Sequence, residues 1–374
     1  MNPQSPPKNP SYCIGLMSGT STDAVDGVLA DLAAHPIRLL AQASLPLPLP
    51  LRDEFLALNA PGPNELHRSA MAANALADCQ AAVVQSLLAQ AGLSAQDILV
   101  LGTHGQTVRH APDAGYTVQI NAPARLAERC GIATVADFRS RDVAAGGQGA
   151  PLVPAFHAAC FGTRGGRAVL NLGGIANLTL LESPVRGFDT GPANMLMDAW
   201  AQTHLGQPFD QDGQWAASGC CQPALLASML AEPWFARLPP KSTGRDLFSL
   251  GWLHAHLEKF THQGTPFAPA DVQATLLELS VRSIADALQR HAHHVQTVLA
   301  CGGGALNQAF MARLGRALAP VALRTTADEG VPVQAVEALA FAWLAHAWLQ
   351  GRAACLPEVT GARHATIAGC LYPA

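Results

Sequence analysis

The sequence predicts an α/β protein with two similar domains. Its 374 residues are too many for one compact hydrophobic core. A strand, a glycine-containing turn and a second strand occupy residues 13–31, and the same pattern returns at residues 168–181. Short apolar runs and longer helix-like segments follow each hairpin. This internal duplication favours two domains of related topology that face a cleft.

The first hairpin carries a polar turn between the apolar runs at residues 13–17 and 25–32. The turn, residues 18–23, contains only glycine, serine, threonine and aspartate. Glycine lets backbone N–H groups approach an anion closely, and the hydroxyls add donors. Asp23 and Asp26 could also hold a metal ion through water. The same residue types form ordinary β-turns, so this stretch alone fits both a phosphate-binding hairpin and a structural turn.

The remaining pattern of the first domain consists of short strands and one long helix. We predict strands at residues 37–45, 98–101 and 116–120, a short helix at 123–129, and a long helix at 64–90 with Asn64 as N-cap and Gly92 as its end. The motif Gly102-Thr-His-Gly-Gln-Thr107 follows the strand at 98–101. Ligands bind at the carboxyl ends of strands in open α/β sheets, so this motif is a candidate binding segment.

A polar, glycine-rich stretch is the predicted crossing into the second domain. It contains Asp137-Phe-Arg-Ser-Arg-Asp142 and Gly146-Gly-Gln-Gly149. A solvated linker and an interdomain substrate loop both fit this composition, but two arginines and two aspartates are more than a linker requires. We therefore predict domain I over residues 12–137 plus about 345–374, domain II over 138–344, and a disordered Pro-rich tail over 1–11.

The second domain continues from its hairpin with alternating elements. We predict strands at residues 185–188, 297–300 and 321–324, and helices at 195–204, 271–290, 305–318 and 334–349, the last of them buried.

Three sequence positions are candidates for chemistry. Asp189 comes directly after a predicted strand, where a carboxylate can act as a general base; it could instead cap the next helix, but Asn194 lies nearer and is the better cap. The run Gly302-Gly-Gly304 lies between a strand and a helix, where free N–H groups favour a phosphate, although glycine also serves close packing. Glu337 opens a helix, a position that the helix dipole favours whatever the role of the carboxylate.

Composition narrows the class of protein. The net charge is −4 and there is no cluster of Lys and Arg, which disfavours nucleic acid and membrane partners. The longest apolar run, residues 338–349, is too short to span a bilayer. The nine cysteines show no C-x-x-C pair and indicate reduced thiols in a cytoplasm. P-loop, first-strand Rossmann and G-x-S-x-G motifs do not occur.

Seven segments together resemble the anhydro-N-acetylmuramic acid kinase family, in the right order and from about residue 12 to the C-terminus. They lie at residues 15–26, 102–107, 137–139 with 146–151, 171–177, 188–194, 301–307 and 337–341. One departure concerns the first of them, which in the family usually reads Gly-Thr-Ser-Leu-Asp-Gly-x-Asp. Here Thr22 replaces Leu and Ala24 replaces Gly, and alanine disfavours a positive φ at that position.

The resemblance implies an α/β fold with two ribonuclease H-like domains of the actin/hexokinase type around an interdomain cleft. It implies that ATP, with Mg²⁺, phosphorylates O6 of 1,6-anhydro-N-acetylmuramic acid while water opens the anhydro bridge. The product would be N-acetylmuramic acid 6-phosphate, in peptidoglycan recycling. We further expect a cytoplasmic homodimer.

The resemblance also implies roles for individual residues, with the Mg²⁺ ligands left unassigned. Asp189 matches the general base, and Glu337 matches a carboxylate that helps to hold the sugar. The expected ATP-binding residues are Gly19, Thr20, Ser21, Thr22, Asp23, Ala24, Val25, Asp26, Gly302, Gly303 and Gly304. The expected substrate-binding residues are His104, Gln106, Arg139 and Asn194.

Two other functions remain open at the level of sequence. One is a non-catalytic nucleotide switch of the actin or chaperone type. Such a protein would not need the expected sugar-binding residues, which count against this alternative. The other is a nicotinamide-dependent oxidoreductase built on residues 302–304.

Overall fold

The computed structural model describes residues 11–19, 22–261 and 267–374. Thr20, Ser21 and residues 1–10 of the predicted tail lie outside the described residues. The chain divides into two compact units. The first contains the chain up to Cys160 together with Ala335–Ala374, and the second contains Phe161–Gln334.

Thirteen strands and thirteen α-helices form the described part of the chain. The strands are β1 (Tyr12–Ser18), β2 (Ala24–Asp31), β3 (Arg38–Pro46), β4 (Val100–Thr103), β5 (Gln106–Ala111), β6 (Tyr116–Ile120), β7 (Thr134–Ala136), β8 (Arg167–Leu172), β9 (Ile175–Leu180), β10 (Arg186–Pro192), β11 (Thr297–Cys301), β12 (Ala322–Thr325) and β13 (Cys370–Tyr372). The helices are α1 (Leu49–Ala57), α2 (Glu65–Ala91), α3 (Pro123–Cys130), α4 (Ser140–Ala144), α5 (Pro154–Phe161), α6 (Asn194–Leu205), α7 (Gln214–Ser218), α8 (Pro223–Leu230), α9 (Leu250–Thr261), α10 (Pro269–His291), α11 (Gln308–Leu318), α12 (Val336–Leu349) and α13 (Pro357–Thr360).

The first unit is built on a six-stranded mixed sheet of order β13-β7-β4-β1-β2-β3. β1, β2 and β3 form an antiparallel meander, whereas β4 and β7 run parallel to β1. β13, at the end of the chain, pairs antiparallel with β7. A separate two-stranded sheet joins β5 to β6.

The second unit repeats this topology with five strands in the order β10-β9-β8-β11-β12. Its first three strands are again an antiparallel meander, and β11 and β12 again run parallel to the first strand, β8. The predicted hairpins at 13–31 and 168–181 are therefore β1–β2 and β8–β9. The internal duplication is confirmed at the level of strand order and direction.

Helix α12 is buried, as its apolar sequence predicts, and it packs directly on the sheet of the first unit. Ten of its fourteen residues are buried. A Cβ atom on Gly15 would lie 1.9 Å from the carbonyl oxygen of Ala338, and one on Gly102 would lie 2.1 Å from that of Phe341. Glycine at these two positions lets the helix backbone lie against β1 and β4 without a side chain between them.

The two units divide at positions that differ from the predicted boundaries of 138 and about 345. The polar stretch after Asp137 stays in the first unit because its side chains bond to that unit. The buried carboxylate of Asp142 accepts hydrogen bonds from Thr360 Oγ1 at 2.7 Å and from the Gly149 amide at 2.8 Å. The rings of Phe138 and Phe341 also pack together, with centroids 5.3 Å apart. This stretch is therefore part of the first unit's interior and not a linker.

Two further observations bear on the sequence predictions. Among the described residues, no helix combines the length and the apolar character needed to cross a membrane. All nine cysteines are free thiols.

Candidate active site

In the first unit, the positive φ after β1 falls on Thr22 and not on Ala24. The Thr22 amide donates to the Gly19 carbonyl at 3.1 Å, and Thr22 has a positive φ of 59°. Ala24 instead starts β2, in register with Pro46 of β3. The alanine that replaces the family's usual glycine therefore occupies a strand position that any residue adopts. Val25 is fully buried in the core, so its side chain is not available to a ligand.

Gln106, predicted as a substrate ligand, braces this turn. Its side chain is 1% exposed. It accepts a hydrogen bond from the Ser18 hydroxyl and donates through Nε2 to the Gly19 carbonyl at 3.1 Å. Because both ends of the amide are engaged, Gln106 connects the start of β5 to the polar turn, 87 residues away in sequence.

His104 and Arg139 form one internal hydrogen-bonded group. The Arg139 guanidinium donates to His104 Nε2 from Nε at 3.1 Å and from Nη2 at 2.9 Å, and to the Gly149 carbonyl at 2.6 Å. Guanidinium only donates, so Nε2 is the unprotonated nitrogen of the ring and Nδ1 carries the proton. Burial, reinforced by the charge of Arg139, lowers the pKa of His104 to about 3. His104 is therefore a neutral, fixed imidazole at physiological pH.

Glu337 lies in the first turn of α12, as predicted. Phe341, one turn further along, packs against the His104 ring at a tilt of 40°, with centroids 4.8 Å apart. Residues four apart share a helix face, so Glu337 lies on the side of α12 that contacts His104. The first unit thus groups Glu337, His104 and Arg139 on one side.

The acidic residues of the first hairpin have different environments. Asp23 is exposed and forms an ion pair with Arg52 at 3.2 Å. Burial raises the pKa of Asp26, with a smaller contribution from the charge of Asp23, while a hydrogen bond from Ser44 opposes the rise. The described residues contain no group of three or more His, Cys, Asp or Glu side chains that could hold a metal ion.

In the second unit, Asp189 lies inside β10 and not directly after a strand. Pairing with β9 continues to Pro192, with a bulge between Asp189 and Gly191. Bulges re-aim side chains and are frequent beside active sites. The Asp189 side chain is 7% exposed, and Oδ2 accepts a hydrogen bond from the Thr243 amide at 2.9 Å. The Asp189 amide donates to the Lys241 carbonyl at 3.1 Å.

A row of polar side chains crosses the sheet beside Asp189. Asp189 in β10 is the register partner of Asn177 in β9. Asn177 pairs in turn with Asn171 in β8, and Asn171 pairs with Cys301 in β11. Register partners point to the same face of a sheet, so these side chains are neighbours. Asn177 Oδ1 is buried and has no hydrogen-bond donor among the described residues. Both asparagines lie in the motif at residues 171–177, but no pattern in the sequence assigns a role to them.

The glycine run packs against the end of β8. Gly302 has φ 82°, and a Cβ there would lie 2.5 Å from Asn171 Oδ1. A Cβ on Gly304 would lie 2.8 Å from that of Leu172, whereas one on Gly303 would meet nothing within 4 Å. Gly303 is therefore the one member of the run whose Cα faces open space.

Two predicted helix starts are wrong. α11 begins at Gln308, because Asn307 caps it by accepting from the Phe310 amide at 2.9 Å; a 3₁₀ turn, Gly303–Leu306, separates the glycine run from this helix. Asn194 is the first residue of α6 and not its N-cap. Its side-chain amide donates to the carbonyls of Leu172 and Gly173, both at 2.9 Å. Asn194 thus fastens α6 to the β8–β9 turn.

The segment that holds Asp189 is a feature that sequence reasoning missed. Lys241 and Thr243 contact the aspartate's backbone and side chain from 52 and 54 residues away. The only local signal is the run Pro239-Pro-Lys-Ser-Thr-Gly244, in which turn-forming residues surround a lysine and two hydroxyls. Such a run predicts a loop but not its partner.

The fold of the chain is that of an α/β protein of the actin/hexokinase type, as the sequence predicted. Component A of (R)-2-hydroxyglutaryl-CoA dehydratase from Acidaminococcus fermentans has this fold, with a TM-score of 0.51 over 90% of this chain and 98% of that chain. The two sequences are 12% identical, so the similarity concerns the fold alone.

The family follows from sequence. The model of the anhydro-N-acetylmuramic acid kinase family matches residues 11–374, and the chain belongs to this family. The anhydro-N-acetylmuramic acid kinase of Bordetella pertussis is 60% identical over 365 residues, which cover 96% of each chain. That of Variovorax paradoxus is 53% identical over 373 residues, which cover 96% of this chain and 98% of the relative. The nucleotide switch and the oxidoreductase are accordingly not favoured.

Proposed function

We propose that the protein is an ATP-dependent carbohydrate kinase that hydrolytically opens 1,6-anhydro-N-acetylmuramic acid and phosphorylates O6. The product is N-acetylmuramic acid 6-phosphate, and the role is cell-wall recycling. Family membership over nearly the whole chain supports the activity. The observation that carries the mechanism is the position of Asp189, buried at a bulge and held through Oδ2 by the Thr243 amide.

Asp189 acts as the general base in this proposal. Water is a poor nucleophile towards an acetal, so the carboxylate removes its proton as C1 gains oxocarbenium character. The new bond forms between the water oxygen and C1, and the bond between C1 and O6 breaks. O6 then takes the γ-phosphoryl group of ATP, and ADP leaves. Attack opposite O6 inverts the configuration at C1.

The polar turn after β1 is the proposed ATP-phosphate segment, with Gln106 as its brace. The Ser18 hydroxyl and the Gly19 carbonyl are both bonded to Gln106, which holds the start of this segment in place, and phosphoryl transfer depends on such positioning. The described glycine loop contributes Gly303, which has open space in front of it. Gln106 and Asn194 would therefore support these segments, and in this proposal Glu337 keeps the sugar-holding role that the family resemblance gives it.

Mg²⁺ accompanies ATP in this proposal. The ion usually needs only one or two protein carboxylates, because phosphate oxygens and water complete its coordination. The exposed carboxylate of Asp23 is an oxygen donor of this kind. When bound, the ion would neutralise part of the negative charge of the phosphates.

A cytoplasmic location, in keeping with nine free thiols, and a homodimeric assembly also belong to the proposal.

The experiment combines isotope labelling with one isosteric variant. The protein is incubated with the anhydro-sugar, Mg·ATP and ¹⁸O-water, and the product is analysed by mass spectrometry and NMR. We expect one ¹⁸O at C1, phosphate on O6 and inversion at C1. Asp189→Asn, whose amide oxygen can still accept from Thr243, should lower kcat by about 10²–10⁴-fold with ATP binding retained.

The control is Asp113→Asn, an exposed aspartate in the β5–β6 loop, which should keep full activity. The proposed reaction would be contradicted if ¹⁸O appeared in released inorganic phosphate and not in the sugar. Activity of Asp189→Asn equal to that of the control would reject Asp189 as the base while leaving the kinase reaction standing.

A further inference from the structure

A small cavity in the second unit carries an unusual set of side chains. It has a volume of about 80 Å³ and lies between β10 and the last turns of α10. Lys241, Arg290 and His291 line it, together with Thr190, Ser283 and Asp286. The two hydroxyls donate to the carbonyls of Ala176 and Ser280, so the donors free to point inward come from the basic side chains.

Lys241 is the buried member of the three basic side chains, with 7% exposure. Its ammonium donates to the Phe235 carbonyl at 3.2 Å and lies 4.3 Å from the centre of the Trp234 ring. Within the described ranges, no carboxylate oxygen comes within 4.0 Å of it. A carbonyl and an aromatic face only partly offset the desolvation of a buried ammonium that no carboxylate touches.

The surrounding charges add to this cost. Arg290, which is exposed, has no ion pair in the described part of the chain, and Asp286, the carboxylate at the cavity, pairs with Arg282 at 3.8 Å. Burial, followed by the charge of Arg290, lowers the pKa of Lys241 to about 8, and the charge of Asp189 opposes this. The dipole of α10 favours Arg290 and His291 at its end, but Lys241 comes from a separate segment.

We propose that this cavity binds a small oxyanion of the phosphate or carboxylate class, held by the ammonium of Lys241 and the guanidinium of Arg290. The volume is that of a few water molecules, which admits one such anion and excludes a nucleotide. The anion would bring a negative charge into direct contact with the ammonium, which no carboxylate of the described residues does. Thr190, which lines the cavity, follows Asp189 in β10. The bound anion would therefore lie next to the strand that carries the candidate base.

Equilibrium binding tests the proposal without turnover, so its outcome is separate from that of the proposed kinase reaction. Sulfate and acetate are titrated in turn into the full-length protein at constant ionic strength, with calorimetry and thermal unfolding as readouts. We expect saturable binding of one anion. Arg290→Gln should weaken it about tenfold, because a charge-assisted contact is lost, and Lys241→Met should abolish it.

The matched control is Arg316→Gln, which removes the same charge from an exposed position on α11. It should bind as the wild type does. Stronger binding of sulfate identifies a phosphate-bearing ligand, and stronger binding of acetate a carboxylate-bearing one. Equal binding by the wild type and Arg290→Gln, or no saturable binding of either anion, would overturn the proposal. If Lys241→Met does not fold, Arg290→Gln decides.

Discussion

Gly15 and Gly102 are register partners in the parallel strands β1 and β4, and the backbone of α12 lies directly against both of them. Side chains on these neighbouring positions would point at the same face of the sheet. The pair therefore forms a flat area of backbone on which the helix that begins with Val336 rests. Glu337 owes its position in the first unit to this contact.

Substituting either glycine should destabilise the first unit. A Cβ on Gly102 would lie 2.1 Å from the Phe341 carbonyl oxygen, and backbone cannot move aside as a side chain can. Gly102→Ala should lower the free energy of unfolding by about 3 kcal/mol, at the upper end of overpacking effects. Gly315→Ala, within α11 and 3.8 Å from the nearest atom, should instead stabilise by about 0.5–1 kcal/mol. Denaturant unfolding measures both; equal stability of the two variants would contradict the packing argument.

Removing the Gln106 amide should loosen the polar turn. Gln106→Leu takes away the bonds to Ser18 and Gly19 and leaves the buried Ser18 hydroxyl without its acceptor. We expect KM for ATP to rise about tenfold, in line with the loss of one or two hydrogen bonds, with a smaller change in KM for the sugar. Gln119→Leu, in the same β5–β6 hairpin but bonded to Thr107 and Thr117, is the control. A larger effect on KM for the sugar than for ATP would return Gln106 to the substrate site.

The bond between Thr360 and Asp142 should contribute measurably to stability. Thr360→Val keeps the shape of the side chain but leaves one oxygen of a fully buried carboxylate without its donor. The expected loss is about 1–3 kcal/mol. Thr203→Val, which removes an exposed hydroxyl on α6, should change stability by less than about 0.5 kcal/mol. Urea unfolding of both variants compares them; a Thr360→Val protein as stable as the control would show that the bond is dispensable.

Acid should destabilise the protein through buried neutral histidines. Burial lowers the pKa of both His104 and His157 to about 3, from about 6.5 in the unfolded chain. Between pH 6.5 and pH 3 the unfolded chain binds protons that the folded protein does not. The contribution of these neutral histidines to the free energy of unfolding is therefore fully present above pH 6.5 and is lost as the pH falls. Each histidine contributes a slope of about 1.4 kcal/mol per pH unit. Unfolding at pH 7, 6 and 5 should show a smaller slope for His157→Leu than for the wild type.

The slope, and not the absolute stability, is the informative quantity in that experiment. His293→Leu, an exposed position after α10, is its control and should keep the wild-type slope. Parallel pH profiles for His157→Leu and the wild type would contradict the assignment of His157 as neutral.

Local patterns in the sequence predicted the elements that local physics decides. The duplicated hairpins emerged because each combines two short apolar runs with a glycine turn, and both have the predicted antiparallel pairing. The buried helix could be predicted because residues 338–349 contain no acidic or basic side chain except His346. Gly92 ends α2 in the left-handed conformation that glycine favours. Asn64, by contrast, stands at the N-cap position without a capping side-chain bond.

Features that depend on distant contacts had no such signal. Residues 45–50 read LPLPLP, which contains no local helix signal, yet α1 begins at Leu49, since a proline is tolerated in the first helical turn. Asp189 lies within β10 because pairing with β9 extends to Pro192, beyond the apolar run. The partner of Asp142 is 218 residues away, and no local pattern could place Thr360 beside it.

The two units differ in how their chains are arranged. The second is one uninterrupted segment, Phe161–Gln334, whereas the first needs α12 and β13 from the end of the chain. During synthesis, domains fold as units once their residues have emerged from the ribosome. The second unit can therefore complete itself while β1 and β4 still expose the bare surface of Gly15 and Gly102. The unit whose synthesis begins first is therefore completed last, when α12 covers the backbone of β1 and β4.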